Sequence, residues 1–166
     1  PEGLTLAAWD EVASLLPDWR VVRADMRGHG RTGCPQPPYA MGALIRDAEA
    51  LMDALALKGA VFVGIGTGGL IAQGLAVKRL DLVRGLVLIN TAARIPATAA
   101  WQAAQEGAED MTPLVEPLID RWFGPAARET EAADRARLML RRMDAAGFAG
   151  CAAAVGGTDF YTTTAT

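Results

Sequence analysis

The sequence predicts an α/β fold in which helices flank a parallel sheet. Two apolar runs of strand length, Val61 to Ile65 and Leu82 to Asn90, are separated by a helical stretch from Gly69 to Arg79. A strand that is joined to the next strand through a helix is typical of parallel pairing. Continuous apolar strands of this kind are usually buried on both faces. We therefore expect one domain with a buried sheet, since 166 residues are enough for a substantial core.

The elements before the first apolar run alternate between helix and strand. Leu6 to Leu16 has apolar residues near helical spacing, and Trp19 to Met26 has the composition of a strand. A glycine-rich loop follows over residues 27–33. Met41 to Leu57 is predicted as a helix that ends at Lys58-Gly59, because glycine commonly follows the last helical turn.

The character of the chain changes after Thr91. Pro96 to Gly150 contains no strand pattern, and prolines and glycines interrupt its helical patterns. We therefore predict a partial core over residues 1–92 and a helical cap or lid over residues 93–166. The last eleven residues are polar and lack a core pattern.

Composition excludes several classes of function. The net charge of −3 provides no basic field for nucleic acid or an anionic membrane. No apolar run approaches the ~20 residues that span a bilayer, and no secretory signal opens the sequence. Cys34 and Cys151 lack metal-site or disulfide-framework spacing, so a reducing cytoplasm is the expected location. We expect neither a metal nor a cofactor.

The most informative motif is the turn between the first apolar run and the helix after it. Val63 to Gly69 has the layout of a nucleophile elbow, whose pattern is Gly-x-Ser-x-Gly. Gly64 and Gly68 occupy the two small flanking positions, and Gly66 occupies the position of the serine. The elbow is thus predicted to be present without its nucleophile.

Two other interpretations of this turn remain open. Gly64, Gly66 and Gly69 also spell G-x-G-x-x-G, a dinucleotide-binding pattern that needs an acidic residue about 20 positions later. The next strand ends at Ile89-Asn90 and supplies no such residue. Alternatively, the glycines serve only tight packing.

A second motif spans Asp25 to Gly33. Its sequence, Asp-Met-Arg-Gly-His-Gly-Arg-Thr-Gly, resembles the loop after the fourth strand of many α/β-hydrolases. His29 is the only histidine and hence the only candidate imidazole base. It precedes the elbow, whereas the hydrolase order is Ser, acid, His, so we favour a scaffolding role for it.

Together these stretches resemble an α/β-hydrolase, and more narrowly the 3-oxoadipate enol-lactonases. The resemblance implies a partial α/β-hydrolase fold with a parallel sheet, flanking helices and a helical cap. The residues that carry it are Asp25–Gly33, Phe62–Gly74, Val83–Ile95, Asp120–Pro125 and Gly147–Cys151.

The resemblance implies a hydrolase acting on a small lactone or ester. A serine attacks the carbonyl, backbone N–H groups hold the oxyanion, and a histidine–aspartate pair moves protons. In this sequence Gly66 takes the nucleophile position, the backbone N–H of Thr67 is the oxyanion-hole candidate, and Arg121 and Trp122 are the substrate-binding candidates. The Thr67 hydroxyl is expected to point away from the pocket, because one helical residue rotates a side chain by about 100°.

The remaining catalytic parts are expected outside residues 1–166. The second oxyanion donor would precede Pro1, and the acid and base would follow Thr166. We therefore expect no turnover by the sequence as it stands. A non-enzymatic ligand-binding or interaction module on the same scaffold is an alternative, and a homo-oligomer remains possible.

The family topology makes one further prediction. It places a third strand between the strand at Val21–Met26 and the strand at Val61–Ile65. We therefore expect an internal portion of a longer hydrolase, in which these two segments do not pair. A ladder between them would instead indicate a rearranged fold.

Overall fold

The computed structural model describes residues 3–97, 101–103, 107 and 109–161. These residues include six helices, two strands and two 3₁₀ turns. In chain order the elements are the 3₁₀ turn Leu6–Trp9, α1 Asp10–Ser14, α2 Met41–Ala54, β1 Ala60–Ile65, α3 Thr67–Lys78, β2 Val83–Ile89, α4 Thr112–Trp122, the 3₁₀ turn Pro125–Ala127, α5 Glu131–Arg141 and α6 Ala145–Gly156.

The sheet formed by the described residues consists of β1 and β2. The two strands are parallel, with Phe62 opposite Leu86 and Ile65 opposite Ile89. The chain crosses from one to the other through α3, as a parallel connection requires. The predicted α/β class with a parallel sheet and flanking helices is confirmed.

The predicted strand over Trp19–Met26 was wrong. Residues 20–26 have no regular secondary structure, and no strand in the described part of the chain pairs with them. Because a strand is defined by its ladder, an apolar extended segment without a neighbour does not become one. The absence of a ladder to β1 agrees with the topology that the family resemblance predicts.

One face of the sheet is packed against helices. Leu70 and Leu75 of α3 are fully buried, and Leu44 and Ile45 of α2 join them in the core. A Cβ on Gly74 would overlap the Ile45 side chain, so glycine at this position allows α2 and α3 to approach closely. The core continues into α6.

The other face is exposed among the described residues. Val61 and Val63 are 42% and 47% exposed, and Val87, opposite Val63, is 46% exposed. The prediction that both apolar runs are buried on both faces was therefore wrong for this part of the chain. Apolar composition shows that a strand suits a buried sheet, but the burial itself needs a second covering layer.

The later part of the chain is helical, as predicted, with no strand in the described residues 109–156. Asp144 caps α6 by accepting hydrogen bonds from the backbone N–H groups of Ala146, at 2.8 Å, and Gly147, at 3.2 Å. A Cβ on Gly147 would lie 2.6 Å from the Cα of Gly28, so α6 packs backbone to backbone on the loop at 25–33. The boundary at residue 93 and the lid role stay predictions.

The helices described do not include one that is long and apolar enough to cross a membrane.

Candidate functional site

The turn between β1 and α3, where the elbow is predicted, has a single residue between strand and helix. β1 ends at Ile65, α3 begins at Thr67, and Gly66 between them has φ 55° and ψ −117°. This positive φ is strained for any residue that carries a Cβ. The local sequence thus reverses the chain direction within one residue and leaves position 66 at the tip of the turn.

Glycines on either side of the tip let strand and helix approach each other. A Cβ on Gly64 would lie 2.5 Å from the backbone nitrogen of Gly69, and closer still to the Gly68 carbonyl. A Cβ on Gly69 would lie 2.5 Å from Cγ2 of Thr91. Gly68, by contrast, has open space where its Cβ would be. Close approach therefore explains Gly64 and Gly69 but not Gly68.

Hydrogen bonds from α3, the end of β2 and the segment after it hold the elbow. The Thr91 hydroxyl donates to the carbonyl of Gly66 at 2.8 Å, and the Gly66 N–H donates to the carbonyl of Ile89 at 3.1 Å. The Gln73 side-chain amide donates to the carbonyls of Gly69 and Ala92, each at 3.2 Å. The elbow is thus held from both ends of its turn.

Sequence reasoning did not identify Thr91 and Gln73 as parts of this site. Both were inside stretches that carried the family resemblance, but neither was assigned a role. A signal was available for Thr91, because the carboxyl ends of neighbouring parallel strands meet at one edge of a sheet, where sites are usually built. The sequence gives no comparable signal for Gln73, because a glutamine within a predicted helix has no feature that indicates a site.

The two predicted catalytic positions are adjacent at the tip. Gly66 is partly exposed and has no side chain with which to attack a carbonyl, and Thr67 is fully buried as the first residue of α3. The N-terminus of a helix favours negative charge, because its first N–H groups point out along the helix dipole. The oxyanion role of the Thr67 N–H stays a prediction.

The two predicted substrate-binding residues lie at the end of α4. Trp122 is half-buried against the core, and its ring edge lies 3.3 Å from where a Cβ on Gly3 would be. Arg121 is exposed. The structure therefore brings Trp122 to the N-terminal segment, and a role of Arg121 and Trp122 in substrate binding stays a prediction.

The loop at 25–33 is tied to the N-terminal segment by side chains. The Asp25 carboxylate accepts hydrogen bonds from the N–H of Leu6 at 2.6 Å and from the N–H of Arg31 at 3.1 Å. His29 is 2% exposed, and its Nε2 accepts a hydrogen bond from the N–H of Gly3 at 3.0 Å. Asp25 and His29 together therefore hold residues 3–6 in place.

The hydrogen bonds of His29 define its protonation state. Its Nδ1 lies 3.1 Å from the carbonyl of Arg27, which can only accept, so the ring proton is on Nδ1 and Nε2 is the acceptor. Burial lowers the pKa of His29 below its ordinary value of 6.5. Both ring nitrogens are engaged by backbone groups, which supports the scaffolding role over that of a catalytic base.

Comparison with known proteins gives a consistent assignment. The model of the family described as alpha/beta hydrolase fold matches residues 2–150 of the sequence. It is 33% identical over 162 residues to 3-oxoadipate enol-lactonase 2 from Acinetobacter baylyi, a match that covers 95% of this chain and 61% of that protein. The chain therefore spans about three fifths of the length of this relative.

Solved structures show the same relationship. A hydrolase from Pseudomonas aeruginosa superposes with a TM-score of 0.91 at 37% identity, over 98% of this chain and 64% of the other. The enol-lactonase from Burkholderia xenovorans superposes with a TM-score of 0.89 at 29% identity, over 98% and 65% respectively. The resemblance to enol-lactonases is thus confirmed, and the chain belongs to the alpha/beta hydrolase fold family.

Proposed function

We propose that this chain carries the elbow and lid portion of a lactone or ester hydrolase of the enol-lactonase type, with Gly66 in place of the nucleophile. The observation that carries the proposal is the backbone of Gly66, with φ 55° and ψ −117° between a parallel strand and a helix. Such a turn is costly to maintain, and hydrolases use it to present a serine. Here the conformation is present and the hydroxyl is not.

The chemistry follows from the missing side chain. Without a hydroxyl at position 66, no acyl intermediate forms at the tip, and the loss of such a nucleophile costs about 10⁶ in kcat. The N–H of Thr67 would still offer a hydrogen bond to a carbonyl oxygen bound at the N-terminus of α3. Arg121 and Trp122 would contact the substrate. The chain as it stands is therefore proposed to bind a small lactone or ester without hydrolysing it.

Two alternatives correspond to other outcomes of the same measurements. A non-enzymatic binding or interaction module would keep the scaffold and use the site only to hold a ligand. A dinucleotide-binding fragment would use Gly64, Gly66 and Gly69 around a pyrophosphate. The contact between Gly69 and the Thr91 side chain already gives that third glycine a packing role.

A cytoplasmic location fits the free thiols of Cys34 and Cys151.

The experiment restores the hydroxyl. The wild-type chain, Gly66→Ser and Gly66→Ala are incubated with a small lactone and with p-nitrophenyl acetate, with and without added imidazole as an external base. Hydrolysis is followed together with the intact mass of the protein. We expect an acyl adduct at position 66 only in Gly66→Ser, since Gly66→Ala adds a Cβ at the same backbone position without a nucleophile.

Other results would change the assignment. Equal hydrolysis by all three proteins would contradict the placement of the nucleophile at position 66. Lactone binding without any adduct in Gly66→Ser would support the binding module. Saturable binding of NAD, with no binding of lactone or ester, would support the dinucleotide alternative and refute the hydrolase proposal.

A further inference from the structure

A cavity of about 470 Å³ lies away from the elbow, between three segments of the chain. Its walls come from the N-terminal segment at 3–7, from residues 29–31 of the loop and from residues 135–143 at the end of α5. This volume is in the range of small-molecule sites, which is about 300–1,000 Å³. None of the elbow residues lines it.

The lining is cationic. Arg31, Arg135 and Arg142 contribute to it, and none of the described residues that line it is an aspartate or a glutamate. Arg135 is neutralised by Glu11, at 3.0 Å, and by Glu131, at 2.8 Å. Within the described part of the chain, Arg31 and Arg142 form no ion pair. Among the described residues, these two positive charges are therefore uncompensated, and an anion would complement them.

The rest of the lining is mostly apolar. Leu4, Leu138, Met139 and Met143 form most of it, and the Thr5 hydroxyl, which also belongs to it, is turned to the sulfur of Met139 at 3.8 Å. Methionine side chains adapt to ligands of irregular shape because they are unbranched and polarizable. Leu138 is 49% exposed, so a ligand there would cover apolar surface that is open to water. This combination favours an anion that carries an apolar chain over a bare inorganic anion.

The wall of the cavity is held in place before any ligand arrives. Residues 3–6 are fixed by the hydrogen bond from Gly3 to His29 and by the hydrogen bond from Leu6 to Asp25. A wall that is already ordered lowers the entropic cost of binding. His29 thus orders a wall of this cavity in addition to holding the N-terminal segment in the fold.

We propose that this cavity binds a small organic carboxylate of about six carbons, whose chain is apolar. The carboxylate lies at Arg31 and Arg142, because a guanidinium matches a carboxylate with two parallel hydrogen bonds. The chain packs on Leu138, Met139 and Met143. This site does not depend on the proposed hydrolase function, since it shares no residue with the elbow.

Titration with hexanoate, observed by two-dimensional amide NMR, tests the proposal. We expect saturable shifts of the amides of Gly3 and Gly30, with no saturable change at Gly66 and Gly69. Hexanamide, which has the chain without the charge, should bind at least about tenfold more weakly. Inorganic phosphate, which has the charge without the chain, should give no saturable shift.

The double variant Arg31→Gln, Arg142→Gln is the decisive comparison. Both residues are exposed, so we expect the fold to be kept, which far-UV circular dichroism checks. The affinity of the double variant for hexanoate should be at least about tenfold lower than that of the wild-type chain. Added salt should also weaken the binding of hexanoate by the wild-type chain. Arg46→Gln removes an equally exposed arginine from α2 and should leave the affinity unchanged.

Three results would overturn the proposal. The first is that the wild-type chain shows no saturable binding of hexanoate. The second is that it binds hexanoate and hexanamide with equal affinity. The third is that the double variant and Arg46→Gln lower the affinity for hexanoate to the same extent. Shifts centred on Gly66 and Gly69 would place the ligand at the elbow instead, and would also refute it.

Discussion

The elbow and the loop at 25–33 depend on their own side chains to different degrees. At the elbow, glycines allow backbone to meet backbone, and position 66 has no side chain to contribute. In the loop, the side chains of Asp25 and His29 hold a segment more than 18 residues away in sequence. The difference shows why this turn keeps its shape with a residue at its tip that has no side chain. The loop has no such freedom at Asp25 and His29, because their side chains make the hydrogen bonds that hold residues 3–6.

The largest effect should come from filling the space at Gly64. Gly64→Ala is expected to lower the free energy of unfolding by about 3 kcal/mol or more, since the new methyl group meets the backbone of Gly68 and Gly69, which cannot rotate away. Chemical denaturation measures the loss. Gly68→Ala is the matched control, and we expect it to gain up to about 1 kcal/mol because its Cβ meets nothing. Equal losses in the two variants would contradict the packing explanation.

Removing the Asp25 carboxylate should be the next largest effect. Asp25→Ala leaves the N–H groups of Leu6 and Arg31 without their acceptor, and we expect a loss of about 2–3 kcal/mol. Asp120→Ala breaks an exposed ion pair with Arg128 and should cost only about 0–1 kcal/mol. If the two variants were equally stable by chemical denaturation, the loop would not depend on its side chains.

The strain at the tip of the elbow should be measurable without any activity. Gly66→Ser and Gly66→Ala are both expected to lower the free energy of unfolding by about 1–2 kcal/mol, because each adds a Cβ at φ 55°. The two losses should agree closely, since the cost belongs to the backbone conformation. A gain in stability from serine would show that position 66 is not strained.

The smallest effect is the pH dependence of the loop. His29 must be neutral at Nε2 to accept the hydrogen bond from Gly3, and burial lowers its pKa below 6.5 in the folded chain. Its contribution to stability is therefore complete above pH 6.5 and is lost as the pH falls through the folded pKa. Between pH about 7.5 and about 5.5, we expect the wild-type chain to lose more of its free energy of unfolding than His29→Gln does, as measured by chemical denaturation at each pH. Parallel losses would assign the pH dependence to other groups.

Local pattern was sufficient for several elements. The apolar run at 61–65, the helix after it and the run at 82–90 became β1, α3 and β2, and each boundary moved by no more than two residues. The helix predicted from Met41 ended at Ala54 rather than Leu57. The elbow could be predicted because its glycines are close in sequence.

Long-range partners could not be predicted in this way. The segment at 20–26 has the composition of a strand, but the described residues offer it no neighbour. The hydrogen bonds of Thr91 to Gly66 and of His29 to Gly3 join residues 25 and 26 positions apart. The order of residue types along a chain does not say which distant group will form a hydrogen bond with a given donor or acceptor.

The sequence by itself determined the parallel α/β class and the glycine-rich turn between strand and helix at 64–69, because strand and helix periodicity and glycine spacing are local properties. The tertiary structure decided which face of the sheet is buried and how Asp25 and His29 fix the N-terminal segment. It also brought Arg31 and Arg142 to one cavity. These features depend on where separate segments meet in space, and burial and hydrogen-bond partners are settled only there.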